Sequence, residues 1–186
     1  KFIVDFFLID VNNAVNNLKF KEKNMKLTDI LSTEDWKRLT EEIYEKFGAR
    51  GLVNDKDGTL VVGSNQWGNE ICPQIAKKEL RICATAYYYL SKLAQEKKEP
   101  AVGECDIGFT KILVPIFYKG EFLGSAGACG LLTEDAEVDT FYIAEALGLD
   151  EEEVEKRMVG IKRVSQKEVE AVLAYVKKRL DEILQS

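Results

Sequence analysis

The chain of 186 residues contains four cysteines and no histidine. Thiolates are nucleophiles and soft metal ligands, so Cys72, Cys83, Cys105 and Cys129 are the residues from which chemistry could be built. The missing imidazole excludes a histidine general base, a Ser-His or Cys-His nucleophile pair, a histidine zinc ligand and a histidine axial to haem. The cysteines are separated by 11, 22 and 24 positions and form no CxxC pair. A zinc ribbon, a ferredoxin-type run and a thioredoxin-type pair are therefore unsupported.

The most pointed segment is Cys105-Asp106-Ile107-Gly108-Phe109. It reads as a strand ending in a thiol and a carboxylate, with a glycine that permits unusual backbone and an aromatic ring able to close over a pocket. Gly103, Gly124, Gly127 and Gly130 thin out the neighbouring strands. Glycine inside a strand often marks close approach of a ligand or of another backbone. The candidate ligand-binding set is therefore Cys72, Cys83, Cys105, Asp106, Phe109 and Cys129. The four cysteines alone are the candidate metal set, for an iron–sulfur cluster or zinc. The plain alternative is four small buried hydrophobes beside packing glycines.

The elements that must position these residues follow from periodicity and breakers. Val4, Leu8, Val11, Val15 and Leu18 stripe a helix over residues 2–20, and a charged linker runs to residue 26. Ser32 caps the next helix, whose apolar face is Trp36, Leu39, Ile43 and Phe47 and which ends at Gly48. Residues 50–54 and 59–62 read as a hairpin around Asp55-Lys56-Asp57-Gly58. A helical region over 70–97 follows, with Pro73 near its start and a break near Lys78. Strands are expected over 101–105, 111–118 and 121–131, the last two joined at Lys119-Gly120. Beyond Thr133 the pattern is helical, ending in a long helix striped by Val169, Val172, Leu173, Val176, Leu180, Ile183 and Leu184.

This order gives an α+β fold with one five-stranded antiparallel sheet flanked by helices, rather than alternating βαβ units. It is similar to the small sensor folds of the GAF and PAS kind. Residues 1–26 are assigned to an N-terminal amphipathic helix and linker, and residues 27–186 to a sensory domain that includes the long C-terminal helix.

The net charge is −6, and the acidic excess lies wholly in residues 133–186. No stretch is basic enough for a nucleic-acid footprint, so none is expected as a partner. No apolar run approaches the roughly 18 residues of a membrane span. The apolar stretch Phe6-Phe7-Leu8-Ile9 is too short for a signal peptide, and reduced thiols point to the cytoplasm. Met25 is a candidate natural start, and no output domain is expected after Ser186.

Several of these positions together resemble the PocR-type sensory domain, a family named for a regulator of propanediol utilisation. The resemblance spans roughly residues 27–184 and rests on Trp36 to Leu39, Leu52 to Gly58, Cys72, Cys83, Cys105 to Gly108, Val114-Pro115-Ile116 and the glycine-rich run from Gly120 to Gly130. It implies a domain that senses small organic molecules ahead of a kinase or a transcription-regulator output. The family histidine falls on Asp106, and Cys129 stands where the family usually has a polar residue.

The expected function is a non-catalytic signalling sensor that binds a small organic ligand in a cysteine-lined pocket. Homodimerisation through the terminal helices is the expected route of the signal. The alternative is a redox or metal-binding protein holding an iron–sulfur cluster or a metal on the four cysteines. A cysteine-dependent enzyme ranks last, because Cys72 near a helix start would have to act with Asp106, Glu104 or a lysine as partner.

Overall fold

A computed structural model describes residues 25–185 of the chain. The helix expected over residues 2–20 lies outside the described residues. The first helix, α1, is Thr33–Phe47. Its start is set by Ser32, whose side chain accepts from the backbone N–H of Asp35 at 3.1 Å, and its end by Gly48 in the left-handed conformation. A single 3-10 turn, Leu27–Asp29, precedes it, and the Trp36 indole donates to the Leu27 carbonyl at 3.0 Å.

Strands β1 (Arg50–Asp55) and β2 (Leu60–Gly63) form the expected hairpin. The helical region breaks at Glu79 into α2 (Ile71–Lys78) and α3 (Leu80–Lys97). Pro73 sits in the first turn of α2, where its missing N–H costs nothing. Strands β3 (Ala101–Glu104), β4 (Thr110–Tyr118) and β5 (Glu121–Thr133) follow. Lys119 and Gly120, both at positive φ, make the two-residue turn between β4 and β5. Helices α4 (Thr140–Leu147) and α5 (Glu151–Val159), strand β6 (Arg163–Val164) and helix α6 (Gln166–Gln185) complete the order.

The antiparallel sheet runs β2-β1-β5-β4-β3, which is the five-stranded sheet the pattern predicts. Strand β6 is a correction to the all-helical reading beyond Thr133. It pairs in parallel with the end of β5, Leu132 with Arg163 and Thr133 with Val164. The Arg163 guanidinium also holds the carbonyls of Thr133, Glu134 and Ala136 through one nitrogen. A two-residue strand carries no periodicity, so only the tertiary pairing reveals it.

Side chains alternate between the two faces of the sheet. Val53, Ile112, Val114, Ile116, Ala126 and Ala128 face one way and join Trp36, Leu39 and Ile43 of α1 and Val169, Val172, Val176 and Leu180 of α6. Each large aliphatic side chain buried there stabilises by about 1.5–3 kcal/mol. The opposite face carries α3 over a much smaller cluster of Leu52, Tyr87 and Leu113. A third cluster, of Ile71, Ile75, Ile82, Ile107, Phe109, Ile143, Leu147 and Val154, ties α2, α4 and α5 to the end of the sheet.

Candidate ligand cavity

The thinly packed face holds a partly open cavity of about 320 Å³. Its floor is Arg50, Leu52 and Asn54 of β1, Lys111 of β4 and Cys129 and Gly130 of β5. The helices over it contribute Cys72 and Ala76 of α2 and Cys83, Ala84 and Tyr87 of α3, each set spaced to share one helix face. Trp67, Cys105 and Phe109 close its ends. All four cysteines, far apart in the chain, therefore line one space, and all four are free thiols.

Cys105 and Phe109 reach it through a tight hairpin turn. Cys105 N–H donates to the Phe109 carbonyl at 2.9 Å, and Gly108 N–H donates to the Cys105 carbonyl at 2.8 Å. Gly108 has φ +86°, and a Cβ there would meet the Glu137 carbonyl oxygen at 2.2 Å, so glycine is required. The loop turns both flanking residues inward and leaves Asp106 exposed to solvent. Asp106, expected in the ligand-binding set, is not among the residues of the cavity wall.

Cys129 and Gly130 owe their placement to a bulge. Thr110 pairs with Leu131 but Lys111 pairs with Cys129, so Gly130 is one extra residue in β5. Its φ of +83° suits only glycine, and a Cβ there would come within 3.2 Å of Asn69 Nδ2. Asn69 pins α2 to this bulge. Its amide donates to the Gly130 carbonyl at 3.0 Å and to Cys72 Sγ at 3.3 Å. Its carbonyl oxygen accepts from the N–H groups of Ile71 and Cys72, capping the helix start.

The same register places three cavity side chains in one row across the sheet. Arg50 pairs with Cys129, and Cys129 pairs with Lys111. A thiol thus stands between two cations on the cavity floor. Lys111 is 5% exposed, and its ammonium donates to the Cys83 carbonyl at 2.9 Å and lies 5.7 Å from the Tyr87 ring centre. The Arg50 guanidinium stacks on Trp67 at 3.5 Å from the ring centre. The Tyr87 hydroxyl shares a hydrogen bond with Ser125 of β5, fixing α3 over the sheet.

Electrostatics at the site are dominated by burial. Desolvation pushes the Cys72 thiol far above its ordinary value, the neighbouring Cys129 adds to the rise, and the Asn69 amide opposes it. Burial likewise raises Cys83 and Cys129, against the opposing charges of Lys111 and Arg50. It also lowers Arg50, because a desolvated cation is costly. Burial thus works against any activation of Cys72 by its place at a helix start. Among the described residues no group of three or more His, Cys, Asp or Glu side chains is arranged to hold a metal ion.

Arg50, Lys111, Trp67 and Tyr87 belong to the cavity but were not singled out from the sequence. A signal for two of them exists. Arg50 has the same strand parity as Leu52, and Lys111 the same parity as Leu113, so each charge stands in phase with a buried residue.

The model of a family described as the sensory domain found in PocR matches residues 29–186. The chain belongs to this family. Its description is that of a sensory, ligand-sensing signalling domain, and the family resemblance expected from the sequence is thereby shown. No curated protein and no solved structure matches the chain. Among the described residues no helix is long and apolar enough to cross a membrane.

Proposed function

We propose that the chain is a non-catalytic sensor that holds a small organic ligand in the cavity between the sheet and α2–α3. The observation that carries this reading is the convergence of Cys72, Cys83, Cys105, Cys129 and Phe109 on one cavity in a member of a sensory family. A sheet face with a cavity of about 320 Å³ open to solvent makes fewer packing contacts than the opposite face, and a ligand supplies them. Occupancy changes how α3 sits on the sheet through Tyr87. Such a shift requires that the ligand bind the two arrangements with different affinity. Homodimerisation through α6 and the segment before residue 25 passes the change to a kinase or a transcription regulator. Four free thiols suit a reducing, cytoplasmic setting.

The test is a thermal-shift screen of the whole chain against small alcohols, aldehydes, carboxylic acids and methylated compounds, read beside thiol alkylation at pH 8. A ligand at about 100 times its Kd should stabilise by about 2.7 kcal/mol and protect the cavity thiols from iodoacetamide. Cys83→Phe should fill the space and abolish the shift, while Cys83→Ser keeps it. If no compound shifts the melt and the filled variant shows wild-type alkylation, the cavity is not a binding site. Protein purified without oxygen should be colourless and metal-free with four titratable thiols.

A further inference from the structure

The cavity wall carries two cations and no acid. Arg50 and Lys111 line it, and no aspartate or glutamate does. Among the described residues neither cation forms an ion pair. The pairs that the surface makes, such as Lys37 with Glu41 and Arg179 with Glu42, lie elsewhere. No hydrogen bond among the described residues engages the Arg50 guanidinium, and its buried Nε–H has no partner. Lys111 spends one of its three donors on the Cys83 carbonyl. The carbonyl oxygen of the Asn54 side chain, also on a wall residue, is buried without a partner.

A buried charge without a counter-charge is costly. Lys111, buried, and Arg50, half-buried with its Nε–H unpartnered, stand on opposite sides of Cys129, an arrangement that a bound anion would complete. Adjacent strands are about 4.8 Å apart, so the two cations arise roughly 10 Å from each other and can converge on one small group. Arginine favours planar, two-oxygen anions, to which it donates in parallel. The rest of the wall is Leu52, Trp67, Tyr87, Phe109 and the thiols, which suit an apolar body. A phosphate cradle is not built here. The nearest helix start, that of α2, has the N–H groups of Ile71 and Cys72 already taken by Asn69.

We propose, building on the sensor reading above, that the ligand is a small monocarboxylate whose carboxylate sits between Arg50 and Lys111 and whose apolar body lies against Phe109, Tyr87 and Trp67. The two cations select for charge, and the apolar wall sets the size of the body.

Calorimetric titration of the full chain with hexanoate, hexanamide, hexan-1-ol and inorganic phosphate at pH 7.5 tests it. Hexanoate should bind at least roughly tenfold more tightly than its two neutral isosteres, and phosphate should not compete. Arg50→Gln and Lys111→Gln should each weaken hexanoate roughly tenfold while leaving hexan-1-ol unchanged, and Lys111→Arg should restore it. If hexanamide or hexan-1-ol binds as well as hexanoate, the cavity is a sensor pocket but not a carboxylate reader. Phosphate binding more tightly than hexanoate overturns the carboxylate assignment while keeping the anion site. If none of the four binds, both the sensor cavity and its charge preference fail. Should the glutamine variants not fold, the comparison among the four compounds on the wild-type chain still decides.

Discussion

The two faces of the sheet use the same strands for opposite ends. On one face Val53, Ile112, Val114, Ile116, Ala126 and Ala128 interlock with α1 and α6 in a continuous apolar core. On the other, the alternate residues of the same strands include Arg50, Asn54, Lys111, Ser125 and Cys129, and the helices above leave a cavity. The first face supplies stability, and the second gives some up to hold charges, thiols and empty space. A strand alternates by its geometry, so one sheet can do both without either compromising the other.

That contrast can be broken by deletion. Trp36→Ala on the packed face should cost about 3–5 kcal/mol, because its neighbours cannot close over the gap. Leu52→Ala on the hollow face should cost near the low end of the leucine range, about 2 kcal/mol, since it borders existing space. Urea denaturation of both variants measures the difference. Equal losses would mean that the two faces are packed alike.

A smaller effect sharpens the role of α3. Tyr87→Phe removes the hydroxyl bonded to Ser125 and should cost about 1 kcal/mol. Burial pushes the Tyr87 phenol up to about 12, so the folded state holds its proton more tightly than the unfolded chain does. The stability from this group is present below pH ~10 and is lost as pH rises toward 12. The variant should show a shallower alkaline decline between those limits. An unchanged decline would detach Tyr87 from the stability of the hollow face.

The smallest effect belongs to the packed side. Glu168 in the first turn of α6 accepts from Lys162, from the Ser165 backbone N–H and from its hydroxyl, which together hold its carboxyl down to about 2. The folded value lies below the unfolded one, so its contribution is present above pH ~4.5 and fades as pH falls toward 2. Glu168→Gln should flatten the acid limb of a pH–melting curve slightly, because the group is fully exposed and screened. A large loss would show that the start of α6 matters more than its buried stripe.

Much of the fold is legible along the chain. The cap at Ser32, the stop at Gly48, the break near Lys78 and the turn at Lys119-Gly120 are local events, and local residue chemistry reports them. The stripe Val169–Val172–Val176–Leu180 declares its buried face by spacing. The site is legible only in part. The four cysteines and Phe109 stand out by type, but nothing local says that they meet. Asp106 stands out equally and faces solvent, because a three-residue loop turns its two ends inward and its first residue outward. Arg50 and Lys111 look like ordinary surface charges until strand parity places them beside Leu52 and Leu113.

The amino-acid order alone determined the α+β class, the two hairpins, the ends of the first helix at Ser32 and Gly48, and the absence of any imidazole from the chemistry. Those depend on contacts within a few residues or on composition. Only the tertiary structure decided that β6 exists, that the four cysteines line one cavity, and that Cys129 lies between two cations. Each of those rests on strand register or on helices packing over the sheet, which no local run of residues reports. The one-residue bulge at Gly130 shows why. It reverses which face the next residues of β5 present, and nothing short of the pairing with β4 reveals where that reversal falls.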